Sequence, residues 1–316
     1  MSKLNPYPPA GADAATRDVA GAHEPLPWKH WLAWLIVLVV AADFASFMIR
    51  NPTFEWPVVA HWLSAKSILS GLGVTLGLTA ISMIIGVLLG LGLAIARLSD
   101  SKLARWLAGL YIWFFRGTPL LVQLIFWYNL STLFPQLSLS IPLGPTFGPW
   151  STNELITPLT AAIAGLALNE AAYMAEIIRA GLLSVDSRQR ETALAFGMTR
   201  GHALRRIVIP QAMRSIVPPT GNQLISMIKA TSLVSVIAMG DLLYAAQNVY
   251  NRTFEVVPLL TVAVIWYLLV TSVLNFAQSA IEKHYARGDG RKVARKREST
   301  SSARGGNMAA SIGDGR

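Results

Sequence analysis

Residues 68–96 read ILSGLGVTLGLTAISMIIGVLLGLGLAIA, a run of 29 residues without a charged side chain. A helix needs about 20 mainly apolar residues to cross the hydrocarbon core of a bilayer. Lipid offers no hydrogen-bond partners to free peptide groups, so a run of this kind crosses as a helix. The segment therefore predicts a membrane-spanning helix and sets the fold class of the chain around it.

Five further apolar segments are long enough to span a bilayer. They are residues 31–49, 106–134, 155–178, 215–240 and 256–281. Each contains at most two charged residues, which would also suit a buried helix of a soluble protein. Six such segments in one chain disfavour that alternative. We predict an all-α polytopic membrane protein with six spans.

Composition supports the same fold class. Of the 316 residues, 53% are hydrophobic and 14% are charged, whereas about a quarter of the residues in soluble domains are charged. The 27 basic residues lie between apolar runs and in the C-terminal tail, which does not predict a nucleic-acid surface. The chain has no cysteine, and its five histidines show no metal-ligand spacing. No GxxxxGK[ST] phosphate loop is present, and we expect no metal or cofactor site.

The basic residues predict the topology. Arg50, Lys66 and Arg252 fall on one side of the six spans, and Arg116 and Lys229 fall within them. All the other lysines and arginines fall on the opposite side. The positive-inside rule therefore predicts that both termini are cytoplasmic in a multi-pass protein of the inner (plasma) membrane.

The two ends of the chain are expected to differ from the spans. Residues 1–30 predict a disordered cytoplasmic tail, and residues 31–49 predict an uncleaved membrane helix rather than a signal peptide. Residues 286–316 predict a basic disordered tail on the cytoplasmic side, for which membrane lipid is an expected partner.

Glycines predict close packing in the span of residues 68–96. Gly73 and Gly77 form one pair with a spacing of four, and Gly86 and Gly90 form another. Such pairs let helix backbones approach each other within a membrane. Glycine is also common in membrane helices without this role, so the alternative remains open.

The longest predicted cytoplasmic loop, about 182–214, contains two short helical runs. Asp186 or Ser187 is suited to cap the first run, and Gly197 is suited to end it in a left-handed conformation. The second run, 199–209, is apolar on one face and basic on the other, and we expect Pro210 to close it. A helix of this kind lies on the lipid surface or docks in a groove on a cytosolic partner.

The loop resembles the EAA loop of the permease subunits of binding-protein-dependent ABC importers, E-A-A-x3-G-x9-I-x-L-P. The matching residues are Glu191, Thr192, Ala193, Gly197, Ile207, Ile209 and Pro210, with Thr192 in place of Ala and Ile209 in place of Leu. Flanking stretches are similar to the polar amino-acid branch of the same family (His, Glu, Gln, Arg and opine permeases). They are residues 115–120, 171–177, 179–181, 218–219 and 229–233. That branch often has Asp where Ala230 stands.

The resemblance covers about residues 68–285 and implies a MetI-like fold with a five-helix core, to which 31–49 is an added helix. It implies that residues of about 185–210 form a coupling loop seated in a cytosolic ATPase. The implied coupling residues are Glu191, Thr192, Ala193, Gly197, Arg205, Ile207 and Pro210. The implied partners are an ABC ATPase dimer, a second permease subunit and an extracytoplasmic amino-acid-binding protein. ATP is then hydrolysed by the partner, and this chain is not an enzyme.

Arg116 is the most informative charge within the spans. It stands directly before Gly117-Thr118-Pro119, where proline interrupts the helical hydrogen bonds. A broken helix in a transporter presents polar groups to a cavity, and arginine can hold a carboxylate with two hydrogen bonds. The alternative is that Arg116 pairs with Glu170 or Glu176 and only holds helices together.

The other charged groups divide between helix faces. Asn169 and Glu176 share one face, whereas Glu170 is turned from Glu176 by about 120°, and Glu176 is suited to pair with Arg179. Lys229 and Ser232 are candidates for the path or its cytoplasmic gate, and structural pairing of Lys229 is the alternative. The candidate substrate-path residues are Arg116, Glu170, Glu176, Lys229 and Ser232.

Two other classes of function compete with the importer permease. A secondary transporter or channel gives no reason for Glu191, Gly197 and Pro210 to stand at this spacing. A membrane-bound enzyme would need a nucleophile and base, or a metal set, near one membrane face, and the sequence predicts no catalytic residues.

Overall fold

The computed structural model describes residues 28–140 and 146–286. The chain divides into two units, Met1–Phe54 and Glu55–Arg316. In the first unit, helix α1 (Trp28–Arg50) precedes a 3-10 turn at Pro52–Phe54. The predicted added helix 31–49 is thus observed as a helix. Residues 1–27 and 287–316, which contain most of the two predicted tails, lie outside the described residues.

The second unit is built from helices and one β-hairpin. Its helices are α2 (Trp56–Leu63), α3 (Lys66–Leu98), α4 (Lys102–Gly117), α5 (Leu120–Tyr128), α6 (Leu130–Leu133), α7 (Thr152–Leu155), α8 (Pro158–Leu183), α9 (Ser187–Ala195), α10 (Arg200–Ala203), α11 (Ile209–Ala230), α12 (Leu242–Thr253) and α13 (Val256–Ala286). A π turn at Leu204–Val208 joins α10 to α11, and a 3-10 helix, Thr231–Ile237, follows α11. The strands are β1 (Gln136–Ser140) and β2 (Thr146–Ser151).

Four helices in the described residues are long and apolar enough to cross a membrane, namely α1, α3, α8 and α13. They correspond to the predicted spans 31–49, 68–96, 155–178 and 256–281. Two bent helix pairs raise the number to six if each pair counts as one span. The predicted all-α fold class is confirmed, with a local hairpin added to it.

The predicted span 106–134 is not one straight helix. α4 and α5 meet at an angle of 102°. Thr118 between them is extended, with φ −111° and ψ 144°, because a residue before proline is sterically excluded from helical angles. Pro119 then caps α5. The interruption indicated by the sequence is therefore observed, and the predicted segment is a bent helix pair that forms either one broken span or a re-entrant loop.

The predicted span 215–240 also differs from the structure. α11 begins earlier, at Ile209, and after the 3-10 helix the chain bends by 45° into α12, which the apolar pattern did not predict. Pro210 was expected to close a helix, and instead it lies in the first turn of α11. A proline is tolerated there because the preceding π turn already departs from regular i→i−4 bonding.

The packing of α3 against α8 forms the centre of the second unit. A Cβ atom built on Gly90 would lie 2.7 Å from Cβ of Met174, and one built on Gly86 would lie 2.8 Å from Cγ of Glu170. These glycines therefore permit the close approach predicted for their pair. A Cβ atom built on Gly73 or Gly77 would have no neighbouring atom within 4 Å. This second pair therefore does not mediate close helix packing within the described residues.

The segment between α6 and α7 contains the antiparallel hairpin. β1 pairs with β2 from Gln136 opposite Ser151 to Ser140 opposite Thr146. The hydroxyl of Thr152 donates to the carbonyl of Phe134 and joins the two ends of the hairpin. This proline- and glycine-rich segment is therefore partly a β-structure.

Candidate substrate path and coupling loop

The coupling loop begins at a defined helix cap. The carboxylate of Asp186 accepts a hydrogen bond of 3.0 Å from the backbone N–H of Arg188, which satisfies one of the free donors at the start of α9. Of the two caps that the sequence allowed, Asp186 is the one observed. Glu191 lies within α9 with its side chain exposed.

α9 ends in a Schellman motif. The N–H of Gly197 donates to the carbonyl of Leu194 at 2.9 Å, and the N–H of Met198 donates to that of Ala193 at 3.1 Å. Gly197 has φ +79°, which is the left-handed conformation that glycine adopts at no steric cost. The predicted C-cap is therefore observed.

A shallow apolar cavity of about 480 Å³ lies beside this turn. Its lining residues are Arg188, Gln189, Thr192, Ala193, Phe196, Met198 and Ile207. Phe196 at the end of α9 exposes 84% of its surface. It is not one of the motif residues and was therefore not identified from the sequence. Its signal in the sequence is its place directly before Gly197, where a side chain projects from the end of a helix.

The remaining coupling-loop residues divide by burial. Ala193 is buried and Ile207 is half-buried, whereas Glu191, Thr192, Arg205 and Pro210 are exposed. The side-chain amide of Gln211 donates to that of Gln189 and joins α11 to α9. The coupling loop thus has an exposed surface, and the hydrogen bond between Gln211 and Gln189 connects it to helix α11.

Arg116 lies at the end of α4, immediately before the bend. Its guanidinium carbon stands 5.3 Å from the ring centroid of Tyr173 on α8, within the range of a cation–π contact. Among the described residues, Arg116 forms no ion pair, and Glu176 is paired with Arg179 at 2.7 Å. The alternative of a direct ion pair between Arg116 and Glu170 or Glu176 is therefore not observed, and Arg116 interacts with Glu176 only at longer range.

Amide side chains hold the bend in place. Nδ2 of Asn169 donates to the carbonyl of Phe115 at 2.9 Å, and Nε2 of Gln123 donates to the same carbonyl at 3.0 Å. Gln123 also donates to the hydroxyl of Thr118 at 2.7 Å. These contacts fix the backbone on both sides of Arg116.

Glu170 lies on another face of α8, toward α3, and is 6% exposed. Its Oε1 atom has no hydrogen-bond partner, and neither does the buried hydroxyl oxygen of Ser82. Lys229 is exposed, and the hydroxyl of Ser232 donates to the carbonyl of Lys229 at 2.7 Å. Among the predicted path residues, Arg116 therefore contacts the face of α8 that carries Tyr173 and Glu176, whereas Glu170 occupies a separate face.

Comparison with known proteins identifies the family. The profile of the family described as "Binding-protein-dependent transport system inner membrane component" matches residues 86–287. The chain belongs to this family. It is a membrane permease subunit of an ABC importer and not itself an enzyme, and ATP is hydrolysed by a partner subunit. A system of this family also includes a substrate-binding protein.

Individual relatives cover most of the chain. It is 40% identical to the arginine transport system permease protein ArgU of Corynebacterium glutamicum, over 93% of this chain and 91% of that protein. It is 31% identical to the glutamine transport system permease protein GlnP of Escherichia coli, over 73% of this chain and 97% of that protein. A crystal structure of "an amino acid ABC transporter with histidines" matches with a TM-score of 0.59 at 38% identity, over 69% of this chain and 94% of that chain.

Proposed function

We propose that this chain forms the membrane path for a polar amino acid in an ABC importer, and that Arg116 binds the carboxylate of the substrate. The names of its relatives, which include permeases for arginine and glutamine, support the substrate class. The observation that carries the residue assignment is the exposed position of Arg116, which forms no direct ion pair in the described chain and interacts with Glu176 only at longer range.

The setting of Arg116 favours a ligand over a purely structural role. A charge in an apolar segment costs a few kcal/mol on insertion scales and is retained mainly where it has a partner or faces a cavity. The ring of Tyr173 supplies only part of that compensation. A carboxylate that accepts two hydrogen bonds from the planar guanidinium would supply the remainder.

The coupling loop supports the proposed assembly. Two permease subunits would pair in the membrane over two cytosolic ATPases, with α9 and Phe196 seated in a cleft of each ATPase. Both termini would then be cytoplasmic. The extracytoplasmic binding protein would deliver the amino acid on the side of the β1–β2 hairpin.

Transport by the reconstituted complex tests the proposal. Candidate amino acids are first compared in ATP-driven uptake, and Arg116→Lys is then measured with the best substrate. Lysine keeps the charge but loses the planar fork, so we expect slower uptake by an assembled complex. Arg252→Lys, at the end of α12, is the matched control and should transport normally. Wild-type uptake kinetics in Arg116→Lys would refute the carboxylate-binding role.

A further inference from the structure

A basic cluster lies at the turn between α3 and α4, formed by Arg97, Lys102 and Arg105. Nη1 of Arg97 donates to the carbonyl of Arg105 at 3.4 Å. Nη1 of Arg105 donates to the carbonyls of Ser99 at 2.8 Å and Asp100 at 3.2 Å. These hydrogen bonds go to neutral carbonyls. Two carboxylates compensate part of the charge, since Asp100 stands in the same turn and Glu176 interacts electrostatically with Arg97. Within the described residues, none of the three forms an ion pair.

Arg97 is built into this surface rather than free in solvent. A Cβ atom on Gly109 would lie 3.0 Å from its Nη1 atom, so the glycine in α4 makes room for the guanidinium group. The Nε atom of Arg97 is buried and lacks a hydrogen-bond partner. The arginine is therefore held in one place, and its buried Nε atom is not accessible to a ligand at the surface.

An exposed apolar stripe runs along α4 from this cluster. Its residues recur at helical spacing, and they are Leu103, Trp106, Leu107, Leu110, Trp113 and Phe114. Trp106 and Trp113 expose 63% and 70% of their surfaces. The opposite face of α4, with Ala108, Ile112 and Phe115, is buried against the bundle.

We propose that this surface is a binding site for an anionic phospholipid. The headgroup phosphate contacts Arg97, Lys102 and Arg105, and the acyl chains lie along the apolar stripe. Charge complementarity selects the occupant. The three cations outnumber the one carboxylate of the turn, Asp100, so a zwitterionic lipid would leave a net positive charge uncompensated. Free phosphate would leave the apolar stripe uncovered. The cluster also stands at the N-terminus of α4, where the helix dipole favours an anion. This site is independent of the substrate assignment.

Lipid binding to the purified transport complex tests the proposal. Native mass spectrometry is used to compare phosphatidylglycerol with phosphatidylcholine of the same acyl chains. The triple variant Arg97→Gln/Lys102→Gln/Arg105→Gln should bind phosphatidylglycerol about fivefold more weakly for each cation removed. The control Arg50→Gln/Lys66→Gln/Arg252→Gln loses the same charge elsewhere and should bind normally. Arg97→Lys/Arg105→Lys keeps the charge and should retain most of the affinity.

Several results would overturn the site. Equal affinity of the wild type for both lipids would show that the cations do not select the headgroup. An equal loss of phosphatidylglycerol affinity in the control variant would show that only the net charge of the protein matters. Displacement of the lipid by inorganic phosphate would identify free phosphate as the ligand. Trp106→Ser/Trp113→Ser should weaken lipid binding. Unchanged binding, or a change in oligomeric state instead, would show that the stripe does not hold lipid.

Discussion

The side-chain amide of Asn169 donates a hydrogen bond of 2.9 Å to the backbone carbonyl of Phe115, the residue directly before Arg116. The bond crosses from α8 to the end of α4, where the chain turns by 102°. Helix bends leave carbonyls without their regular partners, and an unpaired buried carbonyl is costly. Asn169 therefore stabilises the bend and fixes the direction in which the guanidinium of Arg116 leaves the backbone.

Removing this contact should affect transport more than stability. Asn169→Leu keeps the side-chain size but deletes the donor, while Gln123 still donates to the Phe115 carbonyl. Hydrogen bonds between membrane helices contribute about 0.6 kcal/mol on average, so we expect a small loss of stability. We expect a clear loss of uptake, because Arg116 is repositioned. Uptake rate and thermal unfolding of the purified complex provide the measurements.

Asn129→Leu is the matched control. Asn129 donates to the carbonyl of Ile125 within its own turn and is exposed, so its loss should leave uptake unchanged. Equal uptake by the two variants would show that the Asn169–Phe115 bond does not position Arg116.

The two glycine pairs of α3 allow a direct comparison of packing. Gly90→Val would place Cβ 2.7 Å from Cβ of Met174, whereas Gly77→Val meets no atom within 4 Å. Overpacking a close contact costs about 1–3 kcal/mol. We expect Gly90→Val to lower thermal stability and yield, and Gly77→Val to fold normally as a single subunit. Equal stability would mean that α3 and α8 do not approach as closely as the structure indicates.

Gly77→Val also reports on assembly, because a surface left open in one chain can be covered by another. A stable variant that no longer forms the complex would assign the Gly73–Gly77 face to an intersubunit contact. A stable variant that assembles normally would assign that face to lipid.

The proposed topology can be tested with single cysteines, since the chain contains none. Ser140→Cys, in β1, should react with an impermeant thiol reagent on intact cells, whereas Ser301→Cys should react only after the membrane is opened. The physical basis is the excess of lysine and arginine on one side of the spans. Labelling of Ser301→Cys but not of Ser140→Cys on intact cells would reverse the orientation.

Local signals in the sequence predicted local structure well. Asp186 and Gly197 were identified because a helix cap and a left-handed C-cap depend on one or two residues. Long apolar runs predicted α1, α3, α8 and α13, because the hydropathy of a segment is likewise a property of the local sequence. α12 was missed because the segment Leu242–Thr253 is too polar to stand out as apolar. A signal was nevertheless present: Asp241 caps α12 by accepting from the N–H groups of Leu243 and Tyr244.

Relationships between distant segments could not be predicted in this way. The 102° angle at Pro119 depends on how α5 packs against α8, and the contact of Arg116 with Tyr173 depends on that angle. The separation of Glu170 from Glu176 was predictable, because both belong to one helix with a fixed rotation per residue. What each of them faces follows only from the packing of neighbouring helices.

Coupling to the ATPase should depend on the backbone conformation of Gly197. A Cβ atom there meets no atom within 4 Å, so only its φ of +79° opposes a side chain. A valine in this left-handed conformation costs roughly 1 kcal/mol or more. Gly197→Val should distort the turn between α9 and α10 without altering a membrane helix. We expect normal insertion and abundance, but loss of ATP-driven uptake.

Gly197→Asn is the control, because asparagine adopts left-handed angles more readily than other residues with side chains. It should retain most of the uptake. Glu191→Lys tests the same surface by reversing an exposed charge in the middle of α9. If the loop lay on lipid instead, Glu191→Lys would be neutral or would strengthen membrane contact. The decisive measurements are co-purification of the ATPase and stimulation of its hydrolysis by the binding protein. If Gly197→Val and Glu191→Lys both retain these at the wild-type level, the coupling role of the loop is wrong.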